Sequence, residues 1–472
     1  MPASPPIEAD ARSDDAADLD AADARPVDAP GDGPSDTAVT LRDPCRSGIA
    51  LPGDSHFTAP GTCARAVGKG PGPMRQITFA PDGDLFGVTK DGVIVRMHDA
   101  DDDGNFAVAE ITEWGNTGGN GNNCHISLEE GATEGWLYAG TPNGVARFKW
   151  SAGSAKAGEK QDLIVDQPGG GHGLHTTHVY PDESGKGRFL YVHSGSAGNA
   201  TDPMSPGYDA DRSLIKRFDL AKYTPGTPFS WNDGELVVVG TRNVVGFNRS
   251  ARLGKIFGVV NGMDNVTYKG VDVHNDNPGE QVVLVEKGKQ YGYPFCFTAQ
   301  RVVDGDSLVP AGTQLRFEGF ISNTHDDAWC QANSSKPLSF LQAHSAPLDI
   351  VFFDGALPSG GLPDRYRNGA FISLHGSWDR DPSTGYKVIW LPFDDAGNPP
   401  MPTSTKSATT FPYEVVFGGG KSGAPQDGAW TWNASGQGES PRPVGVAISP
   451  VDGALYIASD SVGWVYRVGR AR

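Results

Sequence analysis

Histidine and arginine recur in one kind of place along this chain, the few residues before an apolar, strand-like run. GNNCHIS carries Asn122, Asn123 and His125, and GGGHGLHTTH carries His172, His175 and His178. GTRNVVG carries Arg242 and Asn243, AHSAPLD carries His344, and SPRPVG carries Arg442. Inside a later unit, LHGSWDR adds His375, Trp378, Asp379 and Arg380. Of 11 histidines, five stand in the matching slots and a sixth in LHGSWDR. Guanidinium groups bind carboxylates through paired, charge-assisted hydrogen bonds, and a neutral imidazole is a general base or a metal ligand. Taken singly, a His in a Gly-rich turn is a solvated or capping residue, and an Arg before a strand is a surface charge. Their shared slot points instead to one polar site for an anionic ligand. A zinc site of His172, His175 and His178 is disfavoured, because an extended segment sends positions 175 and 178 to opposite faces. No GxSxG, P-loop or strand-flanked GxGxxG occurs, and GGGHG at 169–173 lies in strand-rich surroundings.

The slots are regular because the chain repeats. Each unit reads as an apolar strand, a Gly or Asp turn, a second strand, a short turn and a third strand, with DG and NG marking hairpins. Six units begin at residues 77, 126, 178, 245, 349 and 445. A period near 50 residues with several strands per unit is the signature of a β-propeller, here with six blades and an all-β fold. A β-sandwich is the alternative. Residues 41–70 are expected to supply a closing outer strand or an extra loop. Segments 286–344 and 394–440 are expected to be long capping loops over one face. Loops before the inner strands of a propeller converge on its axis, which would gather the histidines and arginines there.

Composition agrees. The 472 residues include 63 Gly and 36 Pro, which suits many turns, and 38% apolar residues, enough for a core. The net charge is −18, which argues against non-specific nucleic-acid binding. No apolar window is long enough for a transmembrane helix. Residues 1–40 hold ten acids and two arginines, almost no large apolar residue, and so −8 of that charge. This Asp/Ala/Pro-rich tail reads as disordered and separate from a propeller body at 41–472. It lacks the basic and apolar regions of a signal peptide and reads as a spacer behind a removed leader, with a lipid tether as one form. The other reading is a plain extension of a cytosolic protein. Of five cysteines, Cys45 with Cys63 and Cys296 with Cys330 could each close a loop, leaving Cys124. Such disulfides would suit an exported protein; idle thiols are the alternative. No CxxC or CxxCH is present, which leaves no zinc ribbon and no covalent haem.

Over residues 70–468 the chain resembles the soluble quinoprotein dehydrogenases of the glucose/sorbosone type, and most closely the sorbosone and pyranose branch. The resemblance rests on TRNVVGF at 241, NPGEQVVLVEKGKQYGYPFCF at 277, HSAPLDIVFFDG at 344, FISLHGSWDRDPSTGYKV at 371 and PRPVGVAISPVDGALYIASD at 441. It implies a six-bladed propeller that binds pyrroloquinoline quinone (PQQ) and calcium, and oxidises a sugar or sugar-derived hydroxyl or aldehyde. Electrons would pass to an external acceptor such as a cytochrome or a quinone. It implies His175 as the general base, Arg242 and Asn243 beside the quinone, and His375 as a cationic quinone contact. Arg442 would meet the cofactor carboxylates, and Asn122, Asn123 and His125 would lie near calcium and substrate. The backbone carbonyls of Gly262 and Met263 would hold Ca²⁺, which takes hard oxygen ligands. Trp378 would form a sugar-stacking wall, and His172 is a rival base. Asp264 and Asp272 are candidates for a second calcium or plain turn residues. The family pattern His-x-Thr-Arg is broken here, with His178 in place of Arg. Two other functions fit the scaffold: a calcium-dependent lactonase-type hydrolase, and a non-catalytic carbohydrate- or ligand-binding propeller.

Overall fold

The computed structural model describes residues 45, 47–51, 56–119, 125–129, 133–173, 175–200, 202, 211–320, 323–354, 358, 361–419, 442–461 and 463–471. The acidic segment 1–40, Asn122, Asn123 and Cys124 fall outside them. Six sheets of four or five strands form the blades of a β-propeller, antiparallel except where Lys289–Gln290 joins Glu235–Val239 in parallel. Their innermost strands are Met74–Phe79, Ile126–Leu128, Thr177–Tyr180, Asn243–Arg249, Pro347–Phe353 and Pro443–Ile448. Each begins within three residues of an expected unit start. Every blade presents apolar residues on both faces, so each of the six main core clusters lies between two neighbouring blades. Trp114 and Phe86 of blade one meet Trp150 and Leu137 of blade two. Met74 and Leu85 of blade one meet Tyr456 and Val465 of blade six.

The ring is closed by the N-terminal part of the body. Thr62–Lys69 pairs along Trp464–Arg470 as a fourth strand of blade six, and His56–Thr58 extends blade five beside Glu414–Gly419. The expected closing strand is therefore present. The segment 286–344 does more than cap. It holds Ser339–Leu341, the outermost strand of blade four, together with two hairpins and the helix Asp327–Asn333. Its aromatics, Tyr293, Phe297 and Phe317, bury Met263 and Val266 and so brace the loop that follows Ile256–Asn261. Part of 394–440 forms Glu414–Gly419, the fourth strand of blade five, after a small hairpin of Thr403–Ser404 and Thr409–Thr410; residues 420–440 lie outside the described residues. Cys45 bonds Cys63, and Cys296 bonds Cys330.

One local feature repeats around the axis. The ladder slips between Met74 and Gln76, Val244 and Gly246, Pro347 and Asp349, and Pro443 and Val446. Each slip is a bulge near the start of an inner strand, and a bulge re-aims a side chain. Glycines beside these bulges let inner strands touch backbone to backbone. A Cβ on Gly246 would stand 2.4 Å from the Asp349 Cα, and one on Gly445 would stand 2.7 Å from the Ile77 nitrogen. Gly246→Ala should therefore destabilise the propeller by about 1–3 kcal/mol and lower its thermal midpoint by several degrees. Gly72→Ala, with nothing within 4 Å of the new methyl, should stay within about 0.5 kcal/mol of wild type. Equal midpoints for the two variants in a thermal melt would show that the inner strands are not in this contact.

Candidate functional site

The starts of the inner strands surround a cavity of about 600 Å³. Its floor is apolar because the bulges turn Val245, Leu348 and Val444 together at the axis. Its walls are polar, and the two ends differ in sign.

At one end Arg75 (7% exposed) and Arg442 face the cavity. Arg75 sits at the blade-one bulge, and its Nη1 donates to Asp460 Oδ2 at 2.7 Å. His375 Nε2 donates to Asp460 Oδ1 at 2.8 Å, and Arg442 Nη2 donates to His375 Nδ1 at 3.0 Å. Burial alone would raise the Asp460 carboxyl, but His375, Arg75 and Lys90 hold it well below the usual carboxylate range. His375 is shifted down by burial, against the pull of Asp460. It is therefore a neutral imidazole that accepts from Arg442. The expected cationic His375 is corrected: the lasting charge belongs to the two arginines. Among the described residues, Arg75 Nε and Arg442 Nε are buried without a hydrogen-bond partner.

At the other end the wall is acidic. Asp264 and Asp379 line it with Glu280, Arg242 and His344. Arg242 donates to Asp264 Oδ2 at 2.8 Å and, through Nε, to the Asn199 carbonyl at 2.8 Å. Asn199 also accepts the Asp264 N–H and donates to the Asp264 carbonyl, gripping that residue on both sides. The Gly262 N–H donates to Glu280 Oε2 at 2.5 Å. Burial pushes the Glu280 carboxyl up to about 7. Burial alone would lower His344, but Asp264, Glu280, the His274 carbonyl and Asp379 together carry it above the ordinary imidazole value.

His172 completes the wall. Its Nδ1 lies 2.8 Å from Ser196 Oγ and 3.2 Å from the Ser196 carbonyl. Because the Ser196 hydroxyl donates to the Gly198 carbonyl, Oγ accepts and Nδ1 carries the proton. Nε2 is then the unprotonated ring nitrogen of a residue that lines the cavity. Burial and the nearby Arg242 lower the His172 pKa to about 4.

Arg242, Asn243, Gly262, His375, Trp378 and Arg442 are thus brought together as expected, with Trp378 75% exposed at the mouth. Three residues stand elsewhere. His175 is fully buried, its Nδ1 donating to the Thr141 carbonyl at 2.8 Å, and its Nε2 does not open on the cavity. His125 packs edge-on against His178, ring centroids 5.1 Å apart, and accepts from the Thr177 N–H. It is buried and does not line the cavity. The Met263 side chain is buried under the aromatics of the blade-four insertion, which leaves only its backbone free for the expected role. His178 stacks on Tyr180, centroids 5.3 Å apart, and burial lowers its pKa to about 3. It serves as a neutral aromatic where the family pattern has arginine. Sequence reasoning missed Arg75, Glu280 and Asp460. The signal for Arg75 was present, since GPMRQITF holds an arginine in the same slot as Arg242 and Arg442.

A flat tricarboxylate quinone suits this chemistry. The floor is apolar, two partly unsatisfied guanidiniums face one end, and the buried Asn243 Oδ1 has no partner among the described residues. Hard oxygen donors for a cation, the Asp264 and Asp379 carboxylates, stand at the other. A Cβ on Gly262 would lie 2.4 Å from Pro278 Cγ, so only glycine fits there.

The chain is 30% identical over 312 residues to the "Pyrroloquinoline quinone-dependent pyranose dehydrogenase" of Coprinopsis cinerea, covering 63% of this chain and 39% of that protein. It thus spans well under half of that relative's length. It is 26% identical over 420 residues to the "Pyrroloquinoline quinone-dependent sugar dehydrogenase" of Hypocrea jecorina, covering 85% and 86% of the two chains. Its fold matches the Trichoderma reesei Carbohydrate-Active Enzymes Family AA12 structure at a TM-score of 0.73 and 24% identity, over 90% of this chain and 100% of that one. It matches the holo form of the PQQ domain from the Coprinopsis cinerea pyranose dehydrogenase at 0.71 and 24%, over 90% and 99%. A family model described as TrAA12-like matches residues 57–471, and the chain belongs to that family.

Proposed function

We propose that this protein is a PQQ- and calcium-dependent sugar dehydrogenase acting on a pyranose or related hydroxyl. The observation that carries the reading is the division of one axial cavity into an arginine end and a carboxylate end over an apolar floor. When bound, the quinone supplies a two-electron acceptor and the calcium a Lewis acid. Arg75 and Arg442 bind cofactor carboxylates, and their link through His375 and Asp460 fixes their aim. The Gly262 and Met263 carbonyls and the Asp264 carboxylate would hold calcium through hard oxygen donors. His172 takes the base role first expected of His175: its Nε2 accepts the sugar hydroxyl proton, while Nδ1–H stays anchored on Ser196. Trp378 offers an exposed indole face to the sugar ring. The two disulfides fit an exported protein. The electrons leave to an external acceptor.

Purified protein supplied with PQQ and Ca²⁺ should perturb the quinone absorbance and reduce a dye when sugar is added. No spectral change at micromolar PQQ would overturn the reading. Arg442→Ala should weaken PQQ binding by about 10- to 100-fold, the worth of one buried charge-assisted contact.

His172→Ala should keep quinone binding but lower turnover about 10²- to 10⁴-fold, whereas His175→Ala should act mainly on stability. Because His172 protonates only near pH 4, activity should hold from neutral pH down to about 5 and fall below about 4. An acid limb centred near 6.5 in a pH–rate profile would assign the base to another group.

A further inference from the structure

We propose that this protein acts on the end unit of an oligosaccharide, and that a groove beside the mouth of the axial cavity holds the next sugar. The inference rests on reading the axial cavity as the site of sugar oxidation, and extends it to the length of the substrate.

The groove has a volume of about 380 Å³. Three pieces of chain build it. They are residues 271–276, between the blade-four strands Ile256–Asn261 and Glu280–Leu284, then the hairpin strand Val303–Asp304, and Lys406 in the turn between Thr403–Ser404 and Thr409–Thr410. One wall is shared with the axial cavity. His344 lines the cavity and His274 lines the groove; their ring centroids stand 6.4 Å apart, and His344 Nε2 donates to the His274 carbonyl at 2.7 Å. The rim is shared as well. The strap between the blade-five strands Gly369–Leu374 and Lys387–Pro392 carries Trp378 and Asp379 at the cavity. Two residues on, the Asp381 N–H donates to Asn275 Oδ1 at 3.0 Å, in the groove. A sugar chain leaving the cavity past the exposed Trp378 indole meets the groove next.

The lining selects the class of ligand. Asp272 and Asp276 stand against Arg301 and Lys406, so the lining charges balance and favour neither an anion nor a cation. These groups are also held in place. His274 Nδ1 donates to Asp272 Oδ1 at 2.5 Å, Arg301 pairs with Asp276 Oδ2, and Arg380 donates to Asp276 Oδ1 at 3.4 Å. Fixed donors and acceptors side by side suit hydroxyl groups, which both donate and accept, and their prior order lowers the cost of binding. Val271 and Val303 are 62% and 41% exposed and add aliphatic surface on which the C–H face of a sugar ring sheds water. A neutral, polyhydroxylated ring satisfies both features.

The test uses full-length protein loaded with PQQ and Ca²⁺, and a panel of glucose, galactose, mannose and xylose with their homodisaccharides. At least one disaccharide should exceed its own monosaccharide in kcat/KM by about tenfold or more, mainly through KM, because the groove adds binding away from the reacting carbon. Val303→Trp fills the groove from an exposed position and should raise KM for that disaccharide about tenfold, with the loss confined to the disaccharide. Lys406→Ala, in an exposed turn, should raise the same KM about three- to tenfold, the worth of one hydrogen bond. A panel with no preferred disaccharide would overturn the proposal, and so would a Val303→Trp loss that falls equally on mono- and disaccharide. If the loaded protein oxidises no sugar, the proposed function falls, and calorimetry decides the groove separately. Disaccharide binding by wild type that Val303→Trp abolishes would keep the groove as a glycan site, and absence of that binding would overturn it.

Discussion

The structure depends on how closely six inner strands meet at the axis. Gly246 and Gly445 lie against the backbones of the neighbouring inner strands, so the ring is drawn in to backbone contact just below the cavity. At that spacing a regular strand would have no room to vary. The bulges resolve the conflict: each takes up one residue and turns it inward. Three of those residues are apolar and seal the axis as a floor. The fourth is Arg75, and the residues just before the other strands, Arg242 and Arg442, rise around it. The site follows from a packing constraint repeated blade by blade.

The same geometry explains why an acidic protein carries a cavity with a cationic end. Net charge measures the solvated surface, where side chains are screened. Within the cavity, position around the ring decides. Blades one and six contribute Arg75, Arg442 and the Asp460 hub, while blades four and five contribute Asp264, Glu280 and Asp379. Arg242 stands on the acidic side and is held by Asp264, so the free guanidinium edges are left to the opposite wall. A ligand with carboxylates and a metal-chelating face would be oriented by that division alone.

Much of this was legible in the sequence. Strand alternation and turn dipeptides located all six inner strands to within three residues, because a buried strand between two blades must be apolar and a hairpin must turn on Gly, Asn or Asp. The slot before each strand was legible for the same reason. What sequence could not resolve was which side chain of a dense cluster turns inward. GGGHGLHTTH offers three histidines; in the fold His172 reaches the cavity, His175 is locked onto the Thr141 carbonyl, and His178 stacks on Tyr180. Alternation separates 175 from 178 but says nothing of the Gly-rich turn before them. Asp460, in the turn after Leu455–Ser459, and Glu280, at the start of a strand, escaped notice because both positions read as ordinary. Their importance comes from partners 85 and 18 residues away, His375 and Gly262.

Arginine and histidine divide the labour in this site for a physical reason. A guanidinium keeps its charge when buried, whereas an imidazole loses its proton when burial and a neighbouring cation both oppose it. His172 and His375 each stand beside an arginine and are shifted down, and both are fixed as directional donors and acceptors. Neutrality suits a base, since the lone pair of His172 persists at mildly acid pH. It also sets a limit. The unfolded chain takes up protons on these histidines from about pH 6.5 downward, while folded His172 resists until about 4. Across that window the unfolded state binds more protons, so stability declines as pH falls. Asp460 adds to the loss at lower pH: its folded value lies below the unfolded one, so its contribution is present above the ordinary carboxylate range and fades beneath it. The burial that keeps His172 neutral in acid therefore weakens the fold there. The wide β-ring and its two disulfides carry that load.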